Sequence, residues 1–203
     1  MYVITGSSGV YIVDPSVSPE RAEDFCGMPG LSKGESGVKA IFLTHGHHDH
    51  IKYINDWMKL YPSAKVFFSS NDVDLLGNGF MNCSYFEGSE VSYDFKYTNI
   101  AGTNGWKAYK DDDLDVTVYE TPGHTMGSVC YLAVFGGNSV LLTGDTVFRG
   151  SVGRTDMPGG SSKTLVESIK RICKLDPALE IYPGHGPKST IADEIRFNPF
   201  FSL

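Results

Sequence analysis

The sequence predicts an α/β fold in a single domain over residues 1–203, and three observations predict it. Short apolar runs of strand character alternate with stretches that carry no Gly or Pro and suit helices. Several strand-like runs end in a Gly-bearing turn that also holds His or Asp, the place where α/β proteins carry their chemistry. With 41% hydrophobic and 12% aromatic residues, the 203-residue chain holds enough apolar material for the core of one domain.

In chain order, Met1–Ile4 and Val10–Val13 are β-type runs around Gly6-Ser7-Ser8-Gly9, which reads as a hairpin. Asp14-Pro15 ends the second run. Asp14 is either a turn former before Pro or a carboxylate that supports a metal site from behind its ligands. Residues 16–37 are polar and Gly-rich, with one candidate helix over Pro19–Cys26. Val38–Leu43 suits a buried strand, and Ile51–Tyr61 a helix that stops before Pro62. Lys65–Ser69 is another strand and Asn71–Leu76 a short helix. Residues 77–113 read as a long irregular stretch whose acidic end, Asp111-Asp112-Asp113, is a solvated turn. Its aromatics Phe80, Tyr85, Phe86, Tyr93, Phe95, Tyr97 and Trp106 are expected to pin the loop rather than line a substrate cleft.

From Leu114 the pattern sharpens. Asp115–Glu120 alternates and reads as a strand that ends at Thr121-Pro122-Gly123-His124-Thr125. Ser128–Phe135 and Ser139–Thr143 are strands around Gly136-Gly137-Asn138, and the second runs into Gly144-Asp145-Thr146. Ser161 or Ser162 caps a helix through Lys174 with Leu165, Ile169 and Ile172 on one face. Glu180–Tyr182 is a short strand ending at Pro183-Gly184-His185-Gly186-Pro187, and a last helix covers Ile191–Arg196.

The stretch Thr44-His45-Gly46-His47-His48-Asp49-His50 packs four of the six histidines and one carboxylate into seven residues, between a strand and a helix. His45 and His47 are two apart, and Asp49 and His50 follow at a turn-like offset. Such spacing aims two pairs of ligands at two neighbouring points, each suited to a divalent metal. A solvated His-rich loop is the bland alternative, and it fits poorly in a chain where histidine is otherwise scarce. His124, Asp145 and His185 repeat one arrangement, a strand and then a Gly-bearing turn holding His or Asp. These candidate ligands together exceed what one tetrahedral metal uses.

Net charge is −7, with 17 basic against 24 acidic residues, which argues against nucleic acid or an anionic membrane as a partner. Cys26, Cys83, Cys130 and Cys173 form no C-x-x-C pair and read as reduced thiols. No leader-like segment and no run of transmembrane length is apparent, so a cytoplasmic location is expected.

Taken in order, T-H-G-H-x-D-H, P-G-H-T, T-G-D-T and P-G-H-G resemble the signature of the metallo-β-lactamase superfamily over nearly the whole chain. Phe148-Arg149-Gly150-Ser151-Val152-Gly153-Arg154-Thr155-Asp156 and Asn198-Pro199-Phe200 look most like its small, single-domain glyoxalase II branch, the hydroxyacylglutathione hydrolases. The resemblance implies an αββα sandwich, two mixed sheets flanked by helices, with two divalent metals at one end. Zinc is the default, and iron or manganese also suits the donors. It further implies that His45, His47 and His124 hold one metal, that Asp49, His50 and His185 hold the other, and that Asp145 bridges them. His48 falls at the motif's variable position.

The implied activity is hydrolysis of a small-molecule thioester by a metal-activated hydroxide that Asp49 orients, with Arg154 contacting a substrate carboxylate or serving as an ordinary salt-bridging Arg. A bridging Asp argues against a true β-lactamase. Full-length glyoxalase II enzymes carry a C-terminal helical extension that this chain stops short of, and a Glu-Tyr pair where it has Gly186-Pro187. Family members also usually carry another strand ahead of the hairpin. An iron-dependent persulfide dioxygenase shares the G-R-T-D stretch and is the alternative enzyme. A hydrolase of another ester or thioester, or a non-catalytic metal-binding domain, stays open.

Overall fold

Two β-sheets lie face to face with helices on their outer sides, the αββα arrangement expected from the resemblance. The computed structural model describes residues 1–202. The first sheet runs β1 (Tyr2–Thr5), β2 (Val10–Val13), β3 (Val38–Phe42), β4 (Lys65–Phe68) and β5 (Thr98–Asn99) in sequential order. Only the β1–β2 pair in it is antiparallel. The second sheet uses β6 (Lys107–Lys110), β7 (Leu114–Glu120), β8 (Val129–Phe135), β9 (Asn138–Gly144), β12 (Glu180–Pro183) and β13 (Ser189–Thr190), ordered β13-β12-β9-β8-β7-β6. β12 joins β9 in parallel and the other pairs are antiparallel. A small hairpin, β10 (Val147–Phe148) with β11 (Ser151–Val152), projects after β9.

Side-chain alternation explains the layering. Tyr11 and Val13 of β2 face the second sheet, where they meet Phe42, Phe67, Val116, Val118 and Tyr131 in a buried layer. Val10 and Ile12 of the same strand point the other way, against Ile54 and Trp57. A strand buried on both faces reads as a continuous apolar run, which β2 does. β7 carries its apolar residues Leu114, Val116 and Val118 inward and alternates as expected.

Helix α1 (Pro19–Cys26) starts at the Ser18 cap, which accepts from the Arg21 N–H at 3.4 Å, and stops at Gly27 in the left-handed region. The second half of the histidine-rich stretch opens the helix α2 (His48–Ile51), α3 (Ile54–Leu60) comes directly after it, and α4 (Val73–Leu76) is short. Helix α5 (Ser162–Ile172) starts at Ser161, whose hydroxyl accepts from the Thr164 N–H at 3.3 Å. It seats Leu165, Ile169 and Ile172 on the outer face of the second sheet with Leu141 and Ile181. Each such side chain contributes roughly 1.5–3 kcal/mol by leaving water. Helix α6 (Ile191–Phe197) ends the regular structure apart from one 3₁₀ turn.

Four expectations are corrected. The helix expected over Ile51–Tyr61 begins earlier, at His48, and breaks near Tyr53, whose N–H bonds to the Pro15 carbonyl at 3.0 Å instead of continuing the helix. Residues 77–113 are not wholly irregular, because β5 is an edge strand of the first sheet and β6 an edge strand of the second. The aromatics of this stretch divide in two: Tyr93, Phe95 and Tyr97 pack on the core, whereas Phe80, Tyr85, Phe86 and Trp106 stand exposed. The acidic triplet also does more than turn the chain. Asp113 accepts from the Ser7 and Ser8 amides at 3.0 and 2.7 Å, tying the tip of the β1–β2 hairpin to the second sheet. All four cysteines are free, and no helix among the described residues is long and apolar enough to cross a membrane.

Candidate metal centre

The C-terminal ends of β3, β7, β9 and β12 meet at one end of the sandwich, and each delivers a loop with His or Asp. His45 and His47 lie on the loop after β3, while Asp49 and His50 sit on α2 itself. His124 follows β7, Asp145 follows β9 and His185 follows β12. The structure brings all seven together. Their donor atoms form three overlapping sets, His45/His47/His124, His45/His50/Asp145 and Asp49/His50/His185, each with donors within 4.8 Å of one another. Asp145 stands between the two triads: Oδ1 is 3.2 Å from His50 Nε2, and Oδ2 is 3.6 and 3.7 Å from the Nε2 atoms of His124 and His185.

Hydrogen bonds behind the cluster fix which nitrogens face it. His50 Nδ1 donates to Asp14 Oδ2 at 2.8 Å, so Nε2 turns inward. The Thr44 hydroxyl donates to the same Asp14 oxygen and stands 3.0 Å from His45 Nδ1, which leaves it to accept from that ring. His124 Nδ1 donates to the Arg154 carbonyl at 2.8 Å, so its Nε2 lone pair points inward. Asp14 therefore stands behind the cluster, holding His50 directly and His45 through Thr44. It is held at φ 50°, a left-handed conformation that non-Gly residues seldom adopt.

Asp72 is a residue the sequence reading missed. It is fully buried, and its carboxylate accepts from Gly46 N at 2.9 Å, Gly127 N at 2.6 Å and Thr125 Oγ1 at 2.7 Å, which joins the β3 and β7 loops. Nothing in the short segment around it, Ser69 to Leu76, signals that role. His48 is also buried but turns aside to the Tyr93 hydroxyl, with Glu87 Oε2 at 3.5 Å, and it belongs to none of the three sets.

Burial pushes the His45 imidazole well below its ordinary pKa and, with the neighbouring His124, lowers His47 to about 4. Both are neutral at pH 7, the form that offers a lone pair to a metal. Burial opposes charge on His50, but Asp14 and Asp145 outweigh it and raise its pKa well above normal. Burial would raise Asp49 and Asp145. The His185 bond instead holds Asp49 far below the usual carboxylate range, and His50 lowers Asp145.

These residues fit divalent metals on their own geometry. His45 Nε2 and Asp145 Oδ1 are buried without a hydrogen-bond partner, a costly state unless a cation takes the lone pairs, and His47 Nδ1 stands 2.9 Å from His124 Nε2. A Cβ on Gly184 would stand 2.5 Å from His50 Cε1 and closer still to Asp145 Oδ1, so only glycine leaves the cluster room. Beside it opens a pocket of about 320 Å³, lined by His47, Asp49, His124 and Asp145 and by Cys83, Phe86, Glu87, Arg154 and Met157. Arg154 reaches this wall while paired with Asp156 through two bonds of 2.7 and 2.8 Å, both side chains largely exposed.

The family profile described as Metallo-beta-lactamase superfamily matches residues 1–185. An uncharacterised protein of Mycobacterium leprae is 50% identical over 98% of this chain and 91% of its own. A probable metallo-hydrolase of Streptococcus pyogenes serotype M6 is 31% identical over 98% and 84%. The hydroxyacylglutathione hydrolase GloC of Haemophilus influenzae is 29% identical over 94% and 86%. Among solved structures, the B3 metallo-beta-lactamase BLEG-1 superposes with a TM-score of 0.84 at 28% identity, over 99% of this chain and 93% of that one. TTHA1623 in a di-iron-bound form gives 0.76, also at 28% identity, over 98% and 93%.

Proposed function

The chain belongs to the metallo-beta-lactamase superfamily, and on that premise we propose that it is a dinuclear metal-dependent hydrolase that cleaves thioesters. The observation that carries the reading is the pair of orphaned buried donors, His45 Nε2 and Asp145 Oδ1, amid seven converging ligands. Likeness to the hydroxyacylglutathione hydrolase GloC supports the thioester class. The di-iron form of TTHA1623 supports a two-metal site and leaves iron beside zinc as its occupant.

In this reading His45, His47 and His124 would hold one ion and Asp49, His50 and His185 the other, with the Asp145 carboxylate standing between the two sets. When bound, such ions supply Lewis acidity and bring the pKa of a bound water from about 15.7 toward about 7. The protein's own part is arrangement. Asp14 fixes His50 and, through Thr44, His45 in the ring orientation that faces the cluster. Asp49 is partly exposed, held by His185 Nε2 at 3.0 Å, and stays ionised, so its carboxylate orients the attacking water at the pocket floor. Arg154, on the pocket wall, meets a substrate carboxylate once it gives up Asp156.

The test is metal analysis of protein purified without added metal, together with three assays: S-D-lactoylglutathione hydrolysis, oxygen uptake with glutathione persulfide, and turnover of a β-lactam. About two metals per chain and thioester cleavage without oxygen uptake are expected. Iron-dependent oxygen uptake with no thioester cleavage overturns the hydrolase reading in favour of the persulfide dioxygenase. Turnover of the β-lactam alone moves the substrate class to that of BLEG-1's name.

A further inference from the structure

Three aromatic side chains stand in water beside the metal pocket, where burial would favour none of them. Phe80, Tyr85 and Phe86 are 51%, 56% and 61% exposed, yet they pack on each other with ring centroids 5.8 to 6.4 Å apart. An apolar patch kept exposed on a braced segment marks a surface that meets something else.

The segment is braced. The Asn82 carbonyl accepts from the His48 N–H at 2.7 Å, and Asn82 Nδ2 donates to the Val91 carbonyl at 2.8 Å. Tyr85 N–H donates to the Gly79 carbonyl at 3.0 Å, and Tyr93 N–H to the Leu76 carbonyl at 2.7 Å. The backbone that displays the aromatics is therefore bonded directly to α2, which carries Asp49 and His50.

The patch is also continuous with the pocket. Phe86 lines the pocket that holds His47, Asp49 and Asp145, and with Tyr85 it lines a second, more open groove further out. On this side the charges of the wall are paired: Glu87, next to Phe86, lines the pocket with its carboxylate tied to Lys52 at 2.6 Å. The pocket's cation, Arg154, is paired with Asp156. A charged group leaving the pocket over Phe86 meets charges that already have partners, whereas an apolar one meets aromatic faces and removes them from water.

We propose that the Phe80–Tyr85–Phe86 rim binds an extended apolar arm of the substrate, so that the enzyme selects thioesters by the length of that arm. The inference rests on the thioesterase reading above. The arm belongs either to the acyl group or to the thiol, and the chemistry that recognises it is the same.

Two substrate series separate those sources: straight-chain acyl groups from acetyl to octanoyl on one small thiol, and acetyl thioesters of thiols of rising chain length. In the parent protein kcat/KM rises with chain length in one series, by up to roughly fourfold per methylene that reaches the rim. In the Phe80→Ser/Tyr85→Ser variant, which alters exposed residues outside the core, that slope flattens. Calorimetric binding of uncleavable S-alkyl thioethers of the same lengths gives a readout independent of turnover, with the same slope expected in the parent and the same flattening in the variant. Thioester cleavage with flat slopes in the parent overturns the rim proposal and leaves the thioesterase reading standing. Sloped thioether binding without cleavage keeps the rim and overturns the thioesterase reading. A parent dimer that becomes monomeric in the variant, with flat slopes, overturns the proposal by assigning the rim to a second copy.

Discussion

Replacing Asp14 by alanine tests whether the cluster is organised from behind. The carboxylate is buried and takes three hydrogen bonds: Thr44 N and Thr44 Oγ1 at 2.7 Å and His50 Nδ1 at 2.8 Å. Alanine leaves the Thr44 N–H and the His50 N–H buried without acceptors. At roughly 1–3 kcal/mol for each, the loss is about 2–6 kcal/mol, a large share of the roughly 5–15 kcal/mol that holds a domain folded. Asp14→Gly loses the same bonds but relieves the left-handed strain at φ 50°, so it is milder than Asp14→Ala by about 1 kcal/mol. With the His50 ring no longer fixed, metal affinity falls by roughly 10–100-fold. In chelator-treated protein the Asp14–His50 contribution also depends on pH. The folded pKa of His50 is raised, so the contribution is fully present below its unfolded pKa of about 6.5 and is lost as pH rises through the folded value. Urea unfolding of chelated protein at several pH values measures the first effect, and competition with a chromophoric chelator measures the second. An alanine variant within about 0.5 kcal/mol of the parent, with unchanged metal affinity, would refute the reasoning.

Three further outcomes are expected. Asp145→Ala, which removes the oxygen atoms standing between the two triads, lowers the metal content from about two per chain to one or none, read by elemental analysis. Gly184→Ala pushes a methyl group into Asp145 and His50, so it loses metal and activity while the far-ultraviolet dichroism of the fold is retained. Arg154→Ala raises KM for a carboxylate-bearing thioester with kcat nearly unchanged, whereas Asp156→Ala lowers that KM by freeing the guanidinium. Only a modest change, up to about fivefold, is expected from so exposed a pair.

The ligand loops were legible because each sits within a few residues of a strand end, so local sequence carries the whole signal. The strands themselves were legible from alternation or from continuous apolar runs, β7 and β2 respectively. What local sequence could not supply was partnership over distance. Asp72 bonds Gly46, Thr125 and Gly127, up to 55 positions away, and no pattern around residue 72 announces it. Asp14 had two equal readings until Thr44 and His50 came within bonding reach. The helix through the histidines started early because His47 is extended, at φ −72° and ψ 145°, so the first helical turn already contains Asp49 and His50. The aromatics at 77–113 split for a tertiary reason: Phe95 and Tyr97 lie against Phe68 and Tyr93 joins the same buried cluster, whereas Phe80, Tyr85, Phe86 and Trp106 stand outside it.

The seven candidate ligands are divided between the two sheets. His45, His47, Asp49 and His50 arrive from the first, all built from residues before 100, and His124, Asp145 and His185 from the second, built after 106. A cation bound among them is thus a fastener between two consecutive halves of the chain. Its binding energy is spent on docking one half against the other, so much of the sandwich's cohesion at this end is tied to metal supply. Cells short of metal would hold a protein whose halves part more readily at this end.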